Sequence, residues 1–172
     1  MKGFTLIEVM VGVVILLLLI LAAFAVMDVG RGAWFTGDVS VALRQEVIKA
    51  FARMERELNG TRPAQISLRI GTSSPSLTFE IPQDINGDGT ILDAQGNVEW
   101  SGNIVYALNG SNQITRTASG KTSVLANNIV NLQFSRPASP VNLLQIDITA
   151  QKVSSTGRTV QDAGQIIIKM RN

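Results

Sequence analysis

Between residues 84 and 97 the chain reads "DINGDGTILDAQGN", with oxygen-bearing side chains at alternate positions. Asp84, Asn86 and Asp88 stand at positions 1, 3 and 5 of a calcium loop. Gly89 is at the turning position 6, and Thr90 stands where a backbone carbonyl serves as the position 7 ligand. Hard oxygen donors at this spacing suit Ca2+. Position 12, where a bidentate acid closes the shell, is Gln95, and the nearest carboxylate, Asp93, comes two places early. Calcium binding by the loop at 84–95 therefore requires Asp93 or a backbone carbonyl to complete the shell. The same Asn-Gly and Asp-Gly pairs also suit a long polar hairpin loop that needs no metal.

Other chemistry is sharply limited. The chain has no cysteine and no histidine, so Ser-His-Asp and Cys-His catalysis, zinc sites of the His/Cys type and haem ligation by either residue are impossible. A carboxylate pair of the glycosidase kind survives as an enzymatic alternative, but Asp84 and Asp88 are already explained by turn or metal roles. The expectation is a protein that is not an enzyme, with no catalytic residues. Fifteen Lys and Arg against thirteen Asp and Glu are dispersed along the chain, for a formal charge of +2. No basic block marks a clear nucleic-acid site.

The other conspicuous carboxylate is Glu8, at the edge of an apolar run. No charged residue occurs between Val9 and Met27, and with residues 4–7 the stretch is long enough for a helix to cross a bilayer core. A carboxylate in such a segment costs free energy unless it is paired, so it calls for a partner. Lys2, the apolar run and Ala23-Phe24-Ala25 also fit a secretory signal peptide, although a carboxylate before the apolar core has no use in targeting. A plain uncleaved anchor, held by Lys2 on the cytoplasmic side, is a further alternative that leaves Glu8 unexplained.

The string Lys2-Gly3-Phe4-Thr5-Leu6-Ile7-Glu8-Val9-Met10-Val11 resembles the leader junction of type IV prepilins and type II secretion pseudopilins. The resemblance implies a leader at 1–3, cleavage between Gly3 and Phe4 by a prepilin peptidase, and methylation of the new Phe4 amine. It also gives Glu8 a partner, the Phe4 amine of an adjacent subunit, which would fix axial register. The implied location is the bacterial inner membrane, crossed once with the globular domain on the exported side, and then a pilus or pseudopilus built with other pilin or pseudopilin subunits. The string "LRQEVIKAFARMEREL" ahead of an all-β domain is similar to the larger minor subunits, J-type pseudopilins and W-type minor pilins. A pilus-tip binding module for adhesion or DNA uptake is the alternative within the same architecture.

The elements that hold these residues follow from periodicity. Residues 4–27 form the membrane or filament-core helix. Residues 28–59 continue as an amphipathic helix, with Leu43, Val47, Phe51, Met54 and Leu58 on one face and a stop at Asn59-Gly60. Gly30, Gly32 and Gly37 predict a bend or partly melted joint between the halves. From 60 to 172 the period is two. Leu77, Phe79 and Ile81; Ile104, Tyr106 and Leu108; Val130, Leu132 and Phe134; Leu144, Ile146, Ile148 and Ala150; and Ile166, Ile168 and Met170 each share a strand face. Asn109-Gly110, Ser119-Gly120, Asn127-Asn128 and Thr156-Gly157 supply hairpin turns. The expected fold class is α+β, a long N-terminal helix packed on an antiparallel meander with one buried sheet face.

Overall fold

A computed structural model describes residues 5–171. The leader, Gly3 and Phe4 lie outside the described residues. One helix, α1, runs from Leu6–Leu58, 53 residues without interruption. The joint expected at Gly30, Gly32 and Gly37 is absent, and the cause is cooperativity. Each glycine costs about 1 kcal/mol against alanine, but helix already formed on both flanks propagates through them without a new nucleus. The helix ends at the predicted place, with Asn59 as its C-cap.

Among the described residues eight strands follow: β1 (Ser73–Ser74), β2 (Ser76–Phe79), β3 (Ile104–Leu108), β4 (Ile114–Ala118), β5 (Lys121–Ala126), β6 (Ile129–Ser135), β7 (Leu143–Val153) and β8 (Thr159–Lys169). They form two four-stranded antiparallel sheets, in the orders β1-β6-β7-β8 and β2-β3-β4-β5, where a single meander was expected. Both rest on α1, through β8 and β7 of one and β5 of the other. Ser119-Gly120 joins β4 to β5 with positive φ at both residues, as a two-residue hairpin of type I′ requires. Asn127-Asn128 makes no hairpin. It carries the chain from β5 in one sheet to β6 in the other, with Asn128 in the left-handed region.

The core lies between the helix stripe and the inner sheet faces. Leu43, Val47, Ala50, Met54 and Leu58 are buried, and Phe51 is half-buried beside them. Cross-strand partners meet on the same face: Leu77 opposite Tyr106, Phe79 opposite Ile104, Phe134 opposite Ile146 and Leu144 opposite Ile168. Val130 departs from the predicted pattern. Ile129 pairs with Ala150 and Asn131 with Thr149, so a bulge leaves Val130 unpaired and exposed while Ile129 is fully buried in its stead. The period-two alternation resumes at Leu132.

Before residue 43 the helix has little to bury against. Its apolar side chains from Leu6 to Met27 are all exposed, the pattern of a segment whose solvent is not water. Gly32 and Thr36 are half-buried, and packing against the core begins at Val39 and continues into the core stripe.

Candidate functional site

Glu8 is engaged within its own chain. Thr5 is the N-cap of α1, and its backbone N–H and hydroxyl both donate to Glu8 Oε2, at 2.8 and 2.9 Å. The Glu8 N–H donates back to Thr5 Oγ1 at 3.4 Å. This reciprocal arrangement is a capping box, which satisfies two of the amide groups that a helix start leaves without partners. Thr5-Leu6-Ile7-Glu8 is the S/T-x-x-E signature of that motif, and a carboxylate in the first turn also complements the helix dipole. The local explanation of Glu8 was thus available three residues upstream of it.

Residues 1–24 match the prokaryotic N-terminal methylation motif. The match supports a type IV pilin-like protein, and the motif implies processing by prepilin peptidase and assembly with other pilins. No curated protein and no solved structure matches the chain. The methylation motif runs straight into the exposed apolar part of α1, a combination that fits an inner-membrane-anchored pilin.

The second site is the loop after residue 83, folded as nested side-chain-to-backbone turns. Asp84 accepts from the N–H of Gly87 at 2.7 Å and of Gly89 at 2.9 Å, and both glycines have positive φ. Asn86 Oδ1 accepts from the Asp88 N–H, and Asp88 Oδ1 accepts from the N–H and hydroxyl of Thr90. The Thr90 N–H and hydroxyl hold the Asp88 carboxyl below its usual range, with a smaller push from Asn86.

Asp93 stands apart from that cluster. Its oxygens accept from the backbone of Asn97 and Gln95 and from the Asn97 amide, closing a separate turn that lowers its own pKa. The carboxylate that meets the 84–88 segment is Glu99, which the sequence did not single out. Its Oε2 accepts from the Ile85 N–H at 2.7 Å and its Oε1 from the Asn86 amide at 2.9 Å. Leu92 bridges to Val98, so the Asp93–Asn97 turn is a side excursion. Set aside, it leaves Glu99 next to the position of the expected closing acid.

The Asn86 NH2 donates to one oxygen of Asp88 and one of Glu99, holding two carboxylates together as a cation would. Among the described residues, no group of three or more His, Cys, Asp or Glu converges as a ready-made metal cage. The donor set is nonetheless all oxygen once the amide is counted by its Oδ1, which is the chemistry of a hard divalent ion.

A third constellation, around Glu57, escaped the sequence pattern altogether. Glu57 is buried near the end of α1. It accepts from the Tyr106 hydroxyl at 2.8 Å and from Arg116 Nε at 2.9 and 3.1 Å, and it pairs with Arg53 at 2.7 Å. Burial, and then the hydrogen bond to Glu57, push the Tyr106 phenol far above its ordinary value. The group ties the helix end to β3 and β4, a structural task. In sequence Glu57 looks like one more solvated helix charge, because two of its partners lie 49 and 59 residues further on.

Proposed function

We propose that the chain is a minor pilin or pseudopilin subunit, cleaved between Gly3 and Phe4 and methylated on Phe4, that is assembled into or initiates a type IV pilus or a type II secretion pseudopilus. The observation that carries this is the methylation motif leading without a break into an exposed apolar helix that ends in a packed β domain. Cleavage on the cytoplasmic side would retain that helix as anchor and filament core. Intact mass and N-terminal sequencing of the protein from a host with prepilin peptidase test it. A chain beginning at methylated Phe4 is expected, whereas a start at Val26, or retention of Lys2, overturns it.

In the assembled state Glu8 is proposed to face the Phe4 amine of a neighbouring subunit, a pairing that specifies alignment more than it adds stability. The capping box separates this role from helix capping. Glu8→Gln keeps a side chain that can still cap at this position but loses the charge. It should therefore retain helicity and membrane insertion, yet crosslink poorly to neighbours.

We further propose that the 84–99 loop holds calcium, with Asp84, Asn86, Asp88 and Glu99 as side-chain ligands and the Thr90 carbonyl beside them. The support is the hard-donor composition and the approach of Glu99 and Asp88 to a common amide. Bound there, the ion would cross-link the loop, a structural contribution with no catalytic step.

A further inference from the structure

The turn between β7 and β8 returns alongside the helix, well below the packed core. Thr156 and Arg158 line a cleft whose other wall is Asp28, Val29, Arg31 and Phe35 of α1. The turn is pre-organised. Ser154 N–H donates to the Arg158 carbonyl at 2.8 Å, Gly157 N–H to the Ser154 carbonyl at 3.0 Å, and Arg158 N–H to Ser154 Oγ at 3.2 Å. Among the described residues the ion pairs are Lys49–Glu46, Arg53–Glu57 and Arg116–Glu57, so neither Arg31 nor Arg158 has an ionic partner. Two arginines without an ionic partner therefore line one cleft together with a single acidic residue, Asp28.

The height of this cleft along the helix gives it meaning. The uncharged run ends at Met27, and Arg31 stands four residues beyond it, about 6 Å at the helical rise. A bilayer's headgroup zone extends about 5–7 Å beyond the hydrocarbon on each side. Val29 and Trp34 are 74% and 78% exposed at the same level, and apolar and aromatic side chains beside arginines are the composition of a membrane–water interface.

We propose that the cleft between the β7–β8 turn and residues 28–35 is a phospholipid headgroup site of the membrane-anchored subunit. The lipid phosphate is held by Arg31 and Arg158, as the guanidinium fork favours. Asp28, on the same wall, complements the ammonium of a zwitterionic headgroup such as phosphoethanolamine. The site presents the domain to the membrane surface in one rotational setting, fixed by the turn and not by the helix alone. This rests on α1 crossing the membrane, and the test separates the two.

The absence of cysteine allows single nitroxide labels at Thr156→Cys, at Leu17→Cys in the apolar run and at Asn59→Cys, about 40 Å further up the helix than Arg31. The full chain is placed in vesicles of phosphatidylethanolamine and phosphatidylglycerol, and relaxation of the lipid phosphorus-31 signal is measured. The label at 156 should enhance relaxation severalfold over that at 59. Combining Arg31→Gln with Arg158→Gln should remove at least half of the enhancement. Equal relaxation from 156 and 59, with the label at 17 accessible to lipid-dissolved oxygen, overturns the headgroup site and leaves the membrane helix standing. A label at 17 that is reached only by water-borne reagents overturns both. If inorganic phosphate added to the protein in maltoside micelles shows the same enhancement by the 156 label, the cleft is a site for soluble anions and the lipid assignment falls.

Discussion

Gly164 lies directly beneath Phe51: a Cβ on the glycine would stand 2.8 Å from Phe51 Cε2 and 3.0 Å from Val47 Cγ1. The glycine is in the middle of β8, opposite Ile148, where the helix crosses the sheet. Its missing side chain lets the two elements approach.

Gly164→Val should therefore destabilise the domain by about 1–3 kcal/mol, the usual cost of overpacking. Phe51→Leu in the same chain should recover part of the loss, because it shortens one of the two side chains in the way. Chemical denaturation of both variants in detergent measures this. Additive losses would mean that Phe51 and Gly164 do not interact.

Tyr106 is the single tyrosine, so its ionisation can be followed directly by ultraviolet absorbance. Its folded pKa is raised above the ordinary 10.0, first by burial and then by Glu57. A group shifted in that direction contributes stability that is fully present below the unfolded pKa and is lost as pH rises above it. No tyrosinate signal should appear at pH 10–11 while the protein is folded. Ionisation should coincide with alkaline unfolding seen by circular dichroism, and a phenol that titrates near 10 in the folded protein would contradict the buried bond to Glu57.

Removing members of the Glu57 cluster should cost unequal amounts. Glu57→Ala leaves Arg116 half-buried with its partner gone and should cost about 3–5 kcal/mol, as when a buried pair is broken. Arg53, with a side chain 42% exposed, should cost no more than about 1 kcal/mol on replacement by alanine. Tyr106→Phe removes one hydrogen bond to a charged acceptor, about 1.5–3 kcal/mol. Urea midpoints of the three variants should follow the order Glu57, Tyr106, Arg53.

Calcium at a hundredfold excess over Kd should raise stability by about 2.7 kcal/mol if it binds only the folded state. Asp88→Ala and Glu99→Gln should each abolish the calcium-dependent rise in Tm. Asp93→Asn should preserve it, since Asp93 closes a separate turn. Equal Tm values in chelator and in millimolar calcium would reduce the loop to a polar hairpin. Magnesium should substitute poorly, given its demand for a strict octahedron.

The parts of the fold that local periodicity controls were legible. Leu144, Ile146, Ile148 and Ala150 alternate and are buried, and the stripe from Leu43 to Leu58 faces the sheets. Val130 misled because a bulge is a property of the pairing with β7, not of β6 alone. β4 and β5 escaped notice because Ile114–Ala118 and Lys121–Ala126 bury few side chains and show little alternation. The split into two sheets turns on Asn127-Asn128, whose composition suits a hairpin as well as a crossing. At the sites, the Thr5–Glu8 box was written in four consecutive residues, whereas Glu57 and Glu99 acquire their partners only after long stretches of chain have folded back.

An unbroken α1 is also a mechanical member. Fifty-three residues make a rod about 80 Å long, and the fully buried stripe that the β domain grips runs from Leu43 to Leu58, about 24 Å of it. With no hinge at Gly30, Gly32 or Gly37, a push or pull applied at the apolar end reaches that grip undamped. The load is then borne in shear along the interface, where the interlocked Gly164 and Phe51 resist sliding and the Glu57 tie pins the far end.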